Sequence, residues 1–182
     1  AFKDRLLERF EDEPVKVREV LTAEDGTEKY LFELADGNLI EGVLMRYKYG
    51  NTQCVSTQVG CRMGCTFCAS GLNGLIRDLT AGEILCEVLV INARCGGTPE
   101  KRAVTNVVLM GSGEPLDNYG NTVKFLRNIT APGGICISPR NISLSTCGIV
   151  PMMYDLAEEG IPVNLTVSLH ASADAERRRT MP

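Results

Sequence analysis

From Gln53 onward the chain reads as an α/β protein built around a parallel sheet. Two observations predict this: short β-branched or apolar runs alternate with amphipathic helical segments, and every candidate chemical motif follows one of those runs. Before that point the pattern is different. Phe2 to Phe10 has the charge pattern of a helix end, and Tyr30 to Leu34 and Leu39 to Met45 alternate as two short strands around the turn Ala35-Asp36-Gly37-Asn38. The chain therefore divides into a small β accessory unit at 1–46, comprising a helix end and a hairpin, and an α/β core at 47–182.

Within the core, Cys54 to Gln58 reads as a short strand. Thr80 to Ala93 opens with a Thr-x-x-Glu capping box, Thr80 with Glu83, and carries Ile84, Leu85, Val88, Leu89 and Ile91 at helical spacing until Gly96, Gly97 and Pro99 end it. Val104 to Met110 is nearly continuous in apolar residues, as a strand covered on both faces would be. A helix with Val123, Leu126 and Ile129 follows and breaks at Ala131-Pro132-Gly133-Gly134, and Ile142 to Thr146 forms the next strand. Pro151 suits the first turn of a helix bearing Met152, Met153, Leu156 and Ala157, closed by Gly160, and Val163 to Leu169 supplies the last strand. Four strands alternating with three helices imply a doubly wound sheet or part of a barrel, with chemistry gathered at the carboxyl ends of the strands.

Composition narrows the function. With 44% hydrophobic and 23% charged residues over 182 positions, the chain fits one globular domain rather than a disordered or low-complexity scaffold. No uninterrupted apolar run approaches the roughly 18 residues of a membrane span, and AFKDRLLERFEDE is too charged for a signal peptide, so a cytoplasmic protein with no membrane partner is expected. Nineteen basic against twenty-three acidic side chains give a net charge of −4, so any contact with nucleic acid has to be local. The start at Ala1 and the stop at Pro182, just after Arg177, Arg178 and Arg179, are expected to mark a fragment.

The sharpest motif is C-x3-C-x2-C, formed by Cys61, Cys65 and Cys68 in the loop after the first core strand. Gly60 and Gly64 let the backbone wrap so that thiolates converge on one face of a metal group. Three ligands is the informative count: a four-iron cluster held by three thiolates keeps one iron open for a chelating substrate, whereas structural zinc normally closes with four ligands. Cys54, seven residues upstream, could supply a fourth ligand for zinc, but a place on a strand makes that awkward. The remaining Cys86, Cys95, Cys136 and Cys147 have no ligand spacing and read as small hydrophobes or free thiols.

The triad, with Phe67 just before its last cysteine, resembles the radical SAM superfamily. That resemblance implies an open iron that binds the amino and carboxylate groups of S-adenosylmethionine (SAM) and a one-electron cleavage giving a 5′-deoxyadenosyl radical. Downstream, Gly111-Ser112-Gly113-Glu114-Pro115 is not a dinucleotide fingerprint, since Leu116 stands where a third glycine belongs. Alone it is a tight turn leaving a strand; beside the triad, Glu114 becomes a carboxylate suited to a ligand ammonium. Ser145, Ser168 and the single histidine, His170, share the same sheet edge.

The runs IEGVLMRYKYGNTQCVSTQVGCRMGCTFCAS, GSGEPLDNYGN, ISLSTCGIVP and NLTVSLHASADAERRRTMP make the chain similar, from about Leu39 to Pro182, to the dual-specificity RNA methyltransferase family. The resemblance implies a partial (β/α) radical SAM barrel, truncated here at its C-terminal end. It implies methylation of adenine C2 in 23S rRNA and tRNA, a 4Fe-4S cluster and SAM as cofactors, and an electron donor such as flavodoxin. By the same resemblance Cys61, Cys65 and Cys68 are the metal ligands, and Gly113, Glu114, Ser145, Ser168, Leu169 and His170 contact SAM. Glu41 falls at the family's proton acceptor and Cys54 at the thiol that resolves an RNA-linked intermediate through a disulfide. Because an electron-poor aromatic carbon cannot attack a sulfonium, such chemistry needs a radical and a methyl carrier. The family's carrier cysteine near the carboxyl terminus, its last strands and its helical amino-terminal domain are expected to be missing, which would leave this stretch inactive alone. Ser112 stands where an apolar residue is usual and is expected to alter packing. The alternatives are the related adenine-C8 methyltransferase and, from another class, a zinc-stabilised RNA-binding module without catalysis.

Overall fold

The computed structural model describes residues 14–98 and 101–182. The expected helix at Phe2 to Phe10, and Pro99 as a helix stop, lie outside them. Nine strands are described: β1 (Val15–Thr22), β2 (Glu28–Leu34), β3 (Leu39–Tyr47), β4 (Gly50–Val55), β5 (Gln58–Gly60), β6 (Leu75–Asp78), β7 (Val104–Leu109), β8 (Ile142–Thr146) and β9 (Asn164–Val167). Four helices accompany them: α1 (Ala81–Arg94), α2 (Tyr119–Thr130), α3 (Val150–Glu158) and α4 (Asp174–Thr180). Seven strands form one sheet in the order β1-β2-β3-β4-β7-β8-β9, while β5 and β6 make a separate antiparallel ribbon.

The parallel half is the one the sequence implies. β4, β7, β8 and β9 pair in parallel, and the helices α1 and α2 and then α3 intervene between them in the chain. The capping box of α1 is present in full: the Thr80 hydroxyl accepts from the Glu83 amide at 3.2 Å and the Glu83 carboxylate accepts from the Thr80 amide at 2.8 Å. Such a cap contributes about 1 kcal/mol. Ile84, Val88 and Ile91 are fully buried one turn apart, whereas Leu89, expected on the same face, is 41% exposed.

The antiparallel half contains the expected hairpin as β2 and β3 and adds β1 to it. These three strands continue the same sheet edge to edge, β3 pairing with β4 from Val43↔Cys54 to Tyr47↔Gly50. Val15, Tyr30, Phe32, Leu34, Ile40 and Leu44 share one core with Ile84, Val88 and Ile91 of α1. β1 itself has no clean alternation in the sequence because a bulge between Val17 and Glu19 shifts its register. α4 buries no residue and thus has no apolar period to read.

The expected strand from Cys54 to Gln58 is broken in two. At Ser56 and Thr57 the backbone leaves the ladder and bonds elsewhere: the Ser56 amide donates to the Glu87 carboxylate at 3.1 Å and the Thr57 amide to the Ser112 carbonyl at 2.8 Å. The last strand is shorter than expected, and β9 has all four side chains exposed because it pairs with β8 alone.

Glu87, on α1, is fully buried; one carboxyl oxygen accepts from Ser56 and the other has no partner among the described residues. Burial pushes its pKa well above the ordinary 4.5 and so favours its neutral acid form. A raised folded-state pKa means that the native state binds more protons than the unfolded chain. Its contribution is then fully present below about 4.5 and is lost as pH rises through the folded-state value. Glu87→Gln keeps an acceptor for Ser56 and removes this proton uptake. Urea unfolding across pH 5 to 8 is expected to show the variant gaining stability over the parent by a margin that widens with pH.

Candidate functional site

The carboxyl ends of β4, β7, β8 and β9 carry the residues singled out above, with the cysteine loop lying between β5 and β6. At the head of that loop Gly60 adopts φ 78°, and a Cβ there would sit 2.0 Å from the Gly74 carbonyl oxygen. Only glycine permits this close closure, and the Cys61 amide donates to that same carbonyl at 3.1 Å. The Cys68 amide donates to the Cys65 carbonyl at 3.1 Å, folding the second half of the motif back on itself. Arg62 anchors the loop from outside by an ion pair of 2.5 Å with Asp117.

Opposite stands the turn after β7. The Ser112 carbonyl accepts from the amides of Thr57 and Gln58, and the Ser112 amide donates to the Ser56 hydroxyl at 2.9 Å. Gln58 then accepts from the Glu114 amide at 2.8 Å through its side-chain oxygen, while its amide nitrogen donates to Asp78 and Asp117 at 2.8 and 2.9 Å. Gly113, with φ 102°, lies so close to Gln58 that a Cβ would meet it at 2.6 to 2.8 Å. The turn is tight, as its glycines imply, and it also aims Glu114. That side chain is 4% exposed, and its two oxygens accept from the Leu116 amide at 3.0 Å and the Cys147 amide at 2.7 Å.

These segments enclose a cavity of about 180 Å³ walled by Cys61, Cys65, Cys68, Gly113, Glu114, Ser145, Ser168 and His170. Of the residues expected to contact SAM, Leu169 alone lies outside this wall and is 64% exposed. His170 adopts φ 57° and rests against Phe67 with ring centroids 4.7 Å apart. Glu41 and Cys54 are not in this cavity. They line a larger adjoining one of about 690 Å³, and Cys68, Met110 and Gly111 belong to both walls. There Glu41 is ion-paired to Lys29 at 2.6 Å. Cys54 is nearly buried, and burial pushes its thiol up to about 11.

The electrostatics of the smaller cavity describe what it suits. Burial, and then the neighbouring thiols, raise Cys61 and Cys65, so three thiolates in this space repel one another unless a cationic group sits between them. Among the described residues no three His, Cys, Asp or Glu side chains close on a single point as one metal ion requires. The donor set is three sulfurs spread around a cavity with a carboxylate opposite, which fits a polynuclear iron–sulfur group carrying a ligand on its uncoordinated iron.

A family model for the radical SAM superfamily matches residues 55–182. The chain belongs to the radical SAM superfamily. The matched stretch of this radical SAM chain contains the cysteine loop, Glu114, Ser145, Ser168 and His170. Over 179 residues, 98% of this chain and 50% of the relative, it is 54% identical to a probable dual-specificity RNA methyltransferase RlmN of Clostridium botulinum strain Eklund 17B. A protein of the same name from Lachnoclostridium phytofermentans is 56% identical over 158 residues, 87% of this chain and 43% of that one. The crystal structure of a radical SAM methyltransferase from Sphaerobacter thermophilus superposes with a TM-score of 0.93 at 41% identity, covering 100% of this chain and 53% of its own. The chain thus spans about half the length of the relatives it matches.

Sequence reasoning missed three neighbours of the site. Cys147 has no ligand spacing in the sequence, yet it lines the smaller cavity. Its position two residues after Ser145, at the end of the same strand, was the available signal. Arg177 donates to the carbonyls of Cys147 and Ser168, tying α4 beneath the site. Lys29, on the accessory hairpin, became a neighbour only through the pairing of β2 with β3. Ser112 borders the larger cavity, and its backbone makes the three bonds described above.

Gly113→Ala is expected to force Gln58 away and to place a strained residue at positive φ, at a cost of about 2–3 kcal/mol. Urea unfolding of the variant measures this directly, and substitution at the open Gly120, where a Cβ meets nothing within 4 Å, serves as the control.

Proposed function

We propose that this chain is the cluster- and SAM-binding part of an RNA methyltransferase that methylates adenine C2 in 23S rRNA and in tRNA. The observation carrying this reading is the pair of adjoining cavities, a thiol triad with a buried carboxylate in one and a thiol with a carboxylate in the other, sharing Cys68, Met110 and Gly111. The names of the relatives support the RNA methyltransferase assignment. Membership of the radical SAM superfamily leaves a zinc-stabilised RNA-binding module without support. A flavodoxin-type electron donor and a cytoplasmic location belong to the same proposal; no helix among the described residues is long and apolar enough to cross a membrane.

In this reading Cys61, Cys65 and Cys68 hold a 4Fe-4S cluster. With SAM bound, that group supplies one-electron cleavage of the sulfonium and hence a carbon radical. Glu114, its oxygens aimed by the amides of Leu116 and Cys147, retains lone pairs for the ligand ammonium. Gly113 brings backbone against the ligand where a side chain would not fit. Ser145 and Ser168 supply hydroxyls from two strand ends, His170 closes the wall against Phe67, and Leu169, facing outward, contributes main chain. In the larger cavity Glu41 takes the proton from the methylated base, and Lys29 holds its carboxylate in place. Cys54 attacks the sulfur of a carrier cysteine that is joined through a methylene to the base, a role assigned to none of the eight cysteines here; the sulfur–methylene bond breaks, the carbon takes up a proton to become the methyl group, and the two cysteines are left as a disulfide.

Two sets of substitutions test this in the full-length protein. Cys65→Ala is expected to lose its iron, whereas Cys54→Ala keeps about four irons, cleaves SAM and stalls with RNA covalently attached. A denaturing gel after incubation with RNA then shows a linked band for Cys54→Ala only. Normal turnover by Cys54→Ala would remove its assignment as the resolving thiol.

Glu114→Ala is expected to keep its iron and lose SAM affinity by roughly 10- to 100-fold, the worth of one charge-assisted hydrogen bond. Anaerobic calorimetry measures it, and unchanged affinity would take Glu114 out of the ligand site.

A further inference from the structure

Cys147 sits one residue past β8, on the wall of the cavity that holds Cys61, Cys65, Cys68 and Glu114. Its backbone is pinned on both sides. The amide donates to the Glu114 carboxylate at 2.7 Å, the carbonyl accepts from Arg177, and the next residue, Gly148, turns away with φ 103° as its amide donates to the Thr146 hydroxyl at 3.0 Å. What remains free is rotation of one short side chain about χ1. The thiol shares this wall with the Glu114 carboxylate and the thiols of Cys65 and Cys61. Cys86 lies on α1, Cys95 contacts Arg46 and Cys136 is exposed, so among the described residues Cys147 is the one thiol outside the triad that lines this cavity.

We infer that Cys147 is a fourth, exchangeable sulfur ligand that caps the uncoordinated iron of the cluster when SAM is absent and yields it when SAM binds. The inference rests on the proposed cluster and SAM site, and its chemistry closes without an external oxidant or reductant. On capping, the Cys147 S–H bond breaks, its proton passes by way of Glu114 to solvent, and the thiolate forms a bond to iron in place of solvent. On SAM binding, the iron–sulfur bond to Cys147 breaks and the ligand's ammonium loses a proton to become the amine that binds iron. Cys147 takes up one proton, and no redox state changes. Glu114 accepts from the Cys147 amide and, in the proposed site, from the ligand's nitrogen, so one carboxylate can serve the capped and the SAM-bound states.

The competition has a measurable size. If the capped form is about nine-tenths populated, removing the cap raises apparent SAM affinity about tenfold, because only the uncapped fraction is competent to bind. The test uses full-length protein loaded with iron under anaerobic conditions, as parent, Cys147→Ala and Cys147→Ser. Without SAM, the reduced clusters of parent and Cys147→Ala are expected to give different EPR spectra, and Mössbauer spectra of the oxidised clusters should show the unique iron in a sulfur-rich environment only in the parent. With saturating SAM the spectra should converge, and calorimetry should find tighter SAM binding in both variants. In the parent, maleimide should label Cys147 faster once SAM is added. Identical SAM-free spectra in parent and variants, or Cys147 equally labelled with and without SAM, would overturn the cap while leaving the cluster assignment standing. Failure of the parent to take up iron would overturn both.

Discussion

Ser56 and Gln58 clasp the backbone of residues 111–114, and the site depends on that grip. The Ser56 hydroxyl donates to the Glu41 carbonyl at 2.7 Å and accepts from the Ser112 amide, so a single side chain joins β3 to the turn after β7. Gln58 takes the Glu114 amide and spends its own amide hydrogens on Asp78 and Asp117. Asn118 completes the grip, donating to the carbonyls of Thr57 and Leu79 at 2.8 and 2.7 Å. These bonds are buried or half-buried, and a buried polar group left unpaired costs more than the bond itself contributes. The distance between the cysteine loop and Glu114 is therefore set by a network in which no member shifts alone.

The same clasp explains why the sheet gives up ladder bonds at Ser56 and Thr57. A strand running straight through would carry the cysteines away from the β7 turn. Breaking it frees two amides, one for the Glu87 carboxyl and one for the Ser112 carbonyl. Burial favours the neutral form of Glu87 in this position, which costs stability as pH rises, and the compensating gain is a chain that turns into the β5–β6 ribbon and brings its thiols over the strand ends. Separating the thiol pocket from the cavity of Glu41 and Cys54 by a wall only three residues wide places two chemical environments side by side.

Much of the fold was legible because its signals are local. The capping box at Thr80 and Glu83, the apolar turns at Ile84, Val88 and Ile91, and the glycines around Cys61 act within a few residues, so they read the same in the sequence and in the structure. The elements that escaped reading lack such a signal. The bulge in β1 breaks its alternation, β6 is four residues long, and α4 is polar all round. The exposed side of Leu89 shows the other limit: helical spacing places a residue on a stripe, but the width of the stripe that is covered depends on what packs against it.

The sequence by itself determined the parallel α/β core, the cysteine loop with its three closely spaced thiols, and the tight glycine turn that carries Glu114. Tertiary structure decided which residues meet. That the hairpin extends the core sheet, that Glu41 and Cys54 face a second cavity touching the triad only at Cys68, and that Cys147 lines the cavity of the triad follow from pairings between segments far apart in the chain. Leu169, adjacent in sequence to two cavity residues, faces away from the cavity. The physical reason is that spacing along a chain governs turns, caps and helical faces, whereas a cavity wall is assembled from strand ends whose neighbours are chosen by sheet order and register, and no local pattern records that choice.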